Sequence, residues 1–439
     1  MNKQHEKKEF IMRKVIRLLS VVLVMAAAGS AGAASESNLA QENAELKQRI
    51  EKLDKELDDI KKTVMQRTGT AQTRMPVWSN LDIQFYGYLK FDAAYDSSRI
   101  NNGNYAQWVE REDSRNNDNQ FNMTVNQSRF GMKINGPHGD VMNASGRVEV
   151  DVYGNAPAEN KAQLMMRHAY MKLDWPEDRF NIIAGQTTDV ISPLFPSTVN
   201  YGVCWWTGNI GYRRPQIRLT KECGLDAETD LKLEGALVRT IGRNSLSETE
   251  SGEDSGLPSL QARASLSLPL YGSKPTTMGV SGHLGEEEYD TLTSEKEFNT
   301  WSLNLDVTQP VNSWLTIKGE LFTGENLDAY FGGIGQGVIT NTARPNHYKE
   351  IGSTGGWIAA GLGPWDDMRF NVGGGMDDVD SGQINSGDRT MNRSIFGNMF
   401  YAINNNTELA LELSHWRTEY YGPGDGDSLR VQTALIYKF

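Results

Sequence analysis

The chain has only two cysteines in 439 residues, Cys204 and Cys223, too few for a disulfide scaffold. Its six histidines show no HxxxH or HxH spacing, which argues against a transition-metal site, and no cofactor is expected. Hydrophobic residues make up 38% of the sequence. Beyond residue 33 no run approaches the ~18 consecutive apolar residues of a spanning helix. A positive charge balance is also missing: the net charge of −12 argues against general nucleic-acid binding. From Leu81 onward there is no helical period.

The one apolar run lies near the start. Arg13, Lys14 and Arg17 precede LLSVVLVMAAAG, and Ala31-Gly32-Ala33 follows. A basic flank, a short apolar stretch and small residues at a cleavage site describe a secretory signal peptide over 1–33, with Met12 a candidate initiator. The run is too short for a comfortable membrane anchor. Residues 34–68 then predict an α-helical coiled coil. Asn43, Ile50, Leu57 and Val64 fall at heptad position a, and Leu39, Leu46, Leu53 and Ile60 at d. Between chains the g–e pairs Glu42–Lys47, Arg49–Asp54 and Glu56–Lys61 are all of opposite sign, which favours parallel helices in register. Gly69 and the Arg74-Met75-Pro76 stretch close the helix and open a linker, 69–81.

Residues 82–439 show a different period. Sixteen segments of ten or so residues alternate apolar and polar side chains, as half-buried strands do. In one segment Val148, Val150 and Val152 oppose Arg147, Glu149 and Asp151; in the last, Leu429, Val431, Leu435, Tyr437 and Phe439 oppose Arg430, Gln432 and Lys438. Full charges on the polar stripe could not sit unpaired inside a β-sandwich, but a water-filled lumen accepts them. The connections alternate between short turns (NGPHGDVM, PEDR, YGSKPT, QPVNS, GPWDD, INNN) and long loops, 96–120, 188–208, 240–259, 285–297, 324–354 and 377–392 among them. That alternation is characteristic of outer-membrane barrels. Only a closed barrel satisfies every backbone N–H and C=O in hydrocarbon. The predicted fold is therefore all-β: a sixteen-stranded antiparallel transmembrane β-barrel preceded by the coiled coil. Trp175, Trp314 and Tyr437 fit interfacial girdles. An even strand count puts both barrel ends on the short-turn, periplasmic side. The coiled coil then hangs beneath several barrels standing side by side.

Several stretches carry a family resemblance: SRFGMKINGP (128–137), GRVEVDVYG (146–154), RHAYMKLDWP (167–176), AGQTTDVISPLFPSTVNYGV (184–203), NIGYRRPQIRLT (209–220) and YFGGIGQGV (330–338). Together they resemble the DcaP-like outer-membrane porins. The resemblance implies a homotrimer with a periplasmic helical stalk and passive uptake of small, often anionic, organic solutes, dicarboxylates being one such class. The partners that follow are outer-membrane lipid and lipopolysaccharide, the solutes themselves, and the barrel-assembly machinery, which would read the terminal aromatic strand. Cys204, Trp205 and Trp206 depart from the pattern after YGV and put the local pore lining in question.

A pore selects by width and lining charge. Arg129, Arg147, Lys172, Arg214 and Arg218 share the inward parity and are the expected anion-attracting side, with Glu149 and Asp151 as acidic counterparts. The loop 188–208, with Asp189, Phe195, Tyr201, Trp205 and Trp206, is too apolar to extend into water and is expected to fold into the lumen. The alternative for the inward arginines is a ladder of salt bridges that merely keeps the lumen open. Asp377, Asp378 and Asp380 read as solvated loop charge. No catalytic activity is expected, because none of the strand histidines, His168, His283 and His415, has an evident Ser-and-acid constellation. A tether between outer membrane and cell wall is the rival reading of the stalk.

Overall fold

Period-two alternation along this chain builds strands with one greasy and one wet face, and such strands are stable in lipid only when they close on one another. The computed structural model describes Lys52 and residues 81–439, apart from 114–116, 138, 140, 155–160, 242–254, 272–273, 291–294, 341–347 and 423. The expected signal peptide and the heptad positions Leu39, Asn43, Leu46, Ile50, Leu53, Leu57, Ile60 and Val64 lie outside the described residues.

In chain order the strands are β1 (Asp82–Asp96), β2 (Gln120–Thr124), β3 (Arg129–Asn135), β4 (Asn143–Asp151), β5 (Met165–Trp175), β6 (Phe180–Thr188), β7 (Arg213–Gly224), β8 (Asp230–Val238), β9 (Ser259–Leu268) and β10 (Thr276–Asp290). They continue with β11 (Glu295–Pro310), β12 (Leu315–Glu325), β13 (Val338–Thr340), β14 (Tyr348–Glu350), β15 (Gly352–Trp365), β16 (Met368–Val379), β17 (Arg389–Ala402), β18 (Thr407–Tyr420) and β19 (Gly426–Lys438). Seventeen form one sheet, and β13 and β14 form a separate hairpin. β2 and β3 pair with successive parts of β1 and make one interrupted strand, so the barrel has sixteen. The sheet closes where β19 pairs antiparallel with β1, from Tyr88 opposite Lys438 to Asp96 opposite Arg430. The C-terminal Phe439 completes the seam by exchanging two backbone hydrogen bonds with Gly87, 3.0 and 3.1 Å.

The two faces follow the sequence parity. On β19 Leu429, Val431, Leu435 and Tyr437 are exposed on the outer surface, whereas Arg430 and Gln432 are buried inside. On β18 Leu409, Leu411 and Leu413 point out while Glu408, Glu412 and Ser414 point in. Aromatic pairs mark the short-turn end: Trp175 with Phe180, Phe130 with Phe439, and Trp314 with Trp365, ring centroids 5.6, 5.9 and 6.0 Å apart. They form the lower girdle of the apolar band.

Three strand boundaries differ from the sequence expectation. β10 runs on to Asp290 and β11 begins at Glu295, inside the stretch 285–297 that was expected as a long loop; β16 extends to Val379, so Asp377 and Asp378 are strand residues; and β7 begins at Arg213 instead of 209. In the first two cases polar alternation continues past the apolar band, because strands that rise above the membrane need no greasy face. If the outer stripe touches acyl chains, Leu411→Arg will lower barrel stability by ~2–4 kcal/mol, the cost of an arginine on a lipid face near mid-depth. Denaturant unfolding in lipid vesicles measures it. A change no larger than that of an Arg at an exposed turn would contradict the outward assignment.

Candidate functional site

The segment between β6 and β7 does not lie over the barrel rim. Its backbone is held by inward side chains from strands around most of the circumference. Gln261 on β9 accepts from Val190 N–H, 2.8 Å, and Glu320 on β12 accepts from Leu194 N–H, 2.7 Å. Glu412 on β18 accepts from Val199 and Asn200, 2.6 and 3.3 Å. Lys90 on β1 donates to the Val199 carbonyl, 2.7 Å. On β17, Asn398 donates to Ser197 and Asn392 to Trp206, each 2.8 Å. A chain tied to β1, β9, β12, β17 and β18 crosses the lumen. Ser192, Val203, Cys204 and Trp206 all have positive φ, between 41° and 63°, the kind of backbone strain held in place by its surroundings at functional segments. Gly208 has φ +108°, and a Cβ there would overlap the Gly356 carbonyl of the barrel wall. Glycine is needed at this point for the loop to lie flat against β15.

A second in-folded loop supports the first. Residues 326–337, just after β12, bury Leu327, Tyr330 and Ile334, and Leu327 and Tyr330 pack with Ile191 and Ile210. Backbone bonds from Trp206 N to Phe331 O, 3.0 Å, and from Gly211 N to Tyr330 O, 2.8 Å, join the two loops. Sequence reasoning missed this loop. The available signal was Leu327, Tyr330, Phe331 and Ile334, four large apolar residues in a glycine-rich loop. Residues 100–109 also turn inward: Ile100, Ala106 and Val109 pack on Trp416, and Val109 N–H donates to Thr418, 2.8 Å.

The expected site residues fall into three groups. Arg129, Arg147 and Lys172 stand on the inner wall with their side chains partly open. Arg129 and Arg147 converge on Glu149, at 3.5 and 2.5 Å, and Lys172 pairs with Asp174 at 2.9 Å. Arg218 is more enclosed, bonded to Gln216 at 2.9 Å and to the Thr188 carbonyl. Arg214 is wholly buried: it pairs with Asp189 at 2.8 Å and lies over the Tyr330 ring at 3.8 Å, so it locks the two loops to the wall and does not meet solvent. Glu149 and Asp151 do not face the arginines across the lumen. They sit among them on the same wall, where Arg167 bridges both at 2.8 and 2.6 Å. This departs from an acidic counter-wall, because both acids share a strand and a face with Arg147. A β-bulge on β5 opposite Glu149 and Val150 turns Arg167 inward next to His168, where plain alternation would point it to lipid.

Of the loop residues, Asp189 anchors the loop root through Arg214 and the Tyr212 N–H, 2.8 Å. Phe195 is the exposed one. Tyr201, Trp205 and Trp206 form an aromatic cluster with Tyr105, Tyr153 and Phe331, and Arg213 stacks on Trp205 at 5.8 Å. Cys204 is enclosed with Trp357 and Phe396, and burial pushes its thiol up to about 12, so it stays protonated and inert. Cys223 lies at the far, short-turn end of β7.

Positive side chains meet water at several points inside the barrel, with Asp174, Glu222 and Asp230 as open acids toward the short-turn end. Lys133 is exposed directly across the strand pair from Arg147. Lys318 and Arg369 face a recess of about 280 Å³ below the loop, with Pro196, Ser197 and Asn371. By contrast the acids Glu149, Asp151, Glu320 and Glu412 are buried and engaged in ion pairs or hydrogen bonds.

This architecture has known counterparts. Residues 20–263, more than half of the chain, match the family described as DcaP outer membrane protein. The outer membrane channel DcaP of Acinetobacter baumannii superposes with a TM-score of 0.67 at 18% identity, over 82% of this chain and 98% of that one. An anion-selective porin from Comamonas acidovorans superposes at 0.53 with 11% identity, over 82% of this chain and all of that one. No curated protein sequence matches the chain. A closed sixteen-stranded barrel, an in-folded loop and the family match lead to one conclusion: the chain belongs to the DcaP outer membrane protein family, and its barrel is that of an outer-membrane porin.

Proposed function

We propose that the protein lets small hydrophilic solutes diffuse across the outer membrane and favours anionic organic acids, dicarboxylates among them. The observation that carries this is the charge asymmetry of the lumen. Arg129, Lys133, Arg147, Lys172, Lys318 and Arg369 retain open surface, Lys172 and Arg369 while paired with Asp174 and Glu408, whereas Glu149, Asp151, Glu320 and Glu412 are buried beneath arginines or under the loop. Low-dielectric walls focus such a field and raise the local anion concentration. Arginine also receives a carboxylate through two parallel hydrogen bonds. Lys133 stands directly opposite Arg147 across two strands, and Arg147 is partly neutralised by Glu149 on its own strand. The aromatic cluster at the loop would restrict width without adding charge.

The same reading includes a homotrimer, with the heptad of residues 38–64 joining the chains as a parallel periplasmic stalk. It assigns no catalytic step. The test is the reversal potential in planar bilayers under a salt gradient. Arg147→Ser with Lys133→Ser removes two lumen charges far from the loop anchors, and selectivity is expected to move toward cations by roughly threefold or more in permeability ratio. Unchanged selectivity would reduce these side chains to a structural ladder.

A further inference from the structure

The outer wall carries a feature that solute passage does not use. Outward positions on β15 and β16 include Gly356 and Gly374, set among the exposed Leu321, Ile358 and Met376. Missing side chains in the middle of an apolar band leave a dent. It has a volume of about 890 Å³ and extends to Trp301, Thr323 and Thr354 at its upper end. Its lower part is hydrocarbon-like. Its upper part is polar: Thr323 and Thr354 hydroxyls are bonded to each other at 2.9 Å, the Trp301 indole N–H donates to Glu325 at 2.9 Å, and Asp378 stands on the rim.

Two arginines stand beside this groove on the outer face. Met376 lies directly opposite Arg393 across the β16–β17 pair, and Arg393 lies directly opposite Arg417 across β17–β18. Like charges in that relation repel. Arg417 is partly neutralised by Asp425 at 2.7 Å, Glu419 at 3.3 Å and Asp427 at 3.9 Å. Arg393 has no ion pair or hydrogen bond among the described residues and is exposed. Their height is set by β18. Arg417 is ten residues above Thr407, whose cross-strand partner Tyr437 is at the lower end of the barrel. Ten residues at ~3.3 Å each, tilted by ~40°, rise about 25 Å, the height of the apolar band. Arg393 and Arg417 therefore stand at the headgroup level of the outer leaflet, beside the groove's polar end, with its apolar end at acyl-chain depth.

An acyl slot, hydroxyl and carboxylate groups above it, and an unpaired guanidinium at its side describe one kind of occupant. We infer that the groove binds a phosphorylated glycolipid of the outer leaflet. One acyl chain lies over Gly356 and Gly374, sugar hydroxyls meet Thr323, Thr354 and Asp378, and a phosphate rests on Arg393 and Arg417. The inference rests on the barrel and its orientation, and it is independent of which solute passes through the lumen.

The test measures lipopolysaccharide retained by the full-length detergent-solubilised protein, by native mass spectrometry, with folding checked by heat-modifiable electrophoresis. Arg393→Ser/Arg417→Ser is expected to weaken retention about tenfold or more. Thr354→Trp, which fills the groove and leaves the arginines in place, is expected to weaken it as well. Dephosphorylated lipopolysaccharide should bind the wild type no better than the intact lipid binds the double variant, and inorganic phosphate should not compete at millimolar levels. Equal retention by the double variant, or equal binding of the dephosphorylated lipid, would overturn the proposal. So would loss of subunit assembly with lipid retention unchanged, since that would assign the face to a contact between copies of the chain. The dephosphorylated comparison needs only the wild type and decides the question even if a variant fails to fold.

Discussion

Glu320→Ala combined with Glu412→Ala is expected to raise single-channel conductance roughly twofold or more. Both carboxylates are buried on the wall opposite the loop's origin, and both accept hydrogen bonds from its backbone. Glu320 takes Leu194 N–H and the Trp357 indole, and Glu412 takes Val199, Asn200 and the Asn398 amide. Hydrogen bonds to a charged group contribute about 1.5–3 kcal/mol each. Alanine removes the acceptors and leaves buried N–H groups without partners, so the 194–200 stretch loses the ties that keep it across the lumen. The barrel's own ladder is untouched, and the protein should still insert. Bilayer recordings and faster swelling of liposomes in larger neutral sugars would report the wider opening. Conductance equal to wild type would mean that this loop does not limit flow.

The largest stability effect is expected at the seam. Arg430 on β19 donates twice to Asp96 on β1, 3.0 and 2.9 Å, and both side chains are almost wholly enclosed. It also reaches the Gly103 carbonyl at 3.3 Å, tying the first loop to the closure. Arg430→Leu leaves Asp96 buried without its cation and should cost about 3–5 kcal/mol. Removing both charges, Asp96→Leu with Arg430→Leu, should recover much of that loss, because desolvating the pair offsets most of its attraction. The difference between single and double variants, read as the temperature at which the folded band disappears on electrophoresis, separates this from a packing defect. A double variant as unstable as the single would contradict the account.

The two faces were legible in the sequence because a strand repeats every two residues, and lipid tolerates almost no error on the outward stripe. Leu409, Leu411 and Leu413 on one strand and Leu429, Val431 and Leu435 on the next needed nothing but parity. The apolar crowding of Val199, Tyr201, Trp205 and Trp206 marked a loop that had to be buried somewhere. Its partners were not legible. Glu320 and Glu412 went unremarked in the sequence, and their bonding to loop backbone is a three-dimensional fact about the opposite wall. Arg167 was hidden by its bulge, which breaks the alternation on which the reading depended. Arg214 had the right parity, yet residues 326–337 fold over it, and nothing local announces that a loop from β12 will cover a strand well before it in the chain. The expectation of a basic wall facing an acidic one failed for a similar reason. Glu149 shares its strand with Arg147, and in-strand neighbours two apart are on the same wall.

The claim on which the rest depends is that the barrel encloses a continuous water path beside the 189–212 loop, bordered by exposed lysine and arginine. Recording the purified full-length protein in a planar bilayer under a potassium chloride gradient tests it directly. The account predicts discrete conductance steps with a reversal potential on the chloride side. A folded, membrane-inserted protein that passes no current, or one that passes potassium in preference, would contradict it.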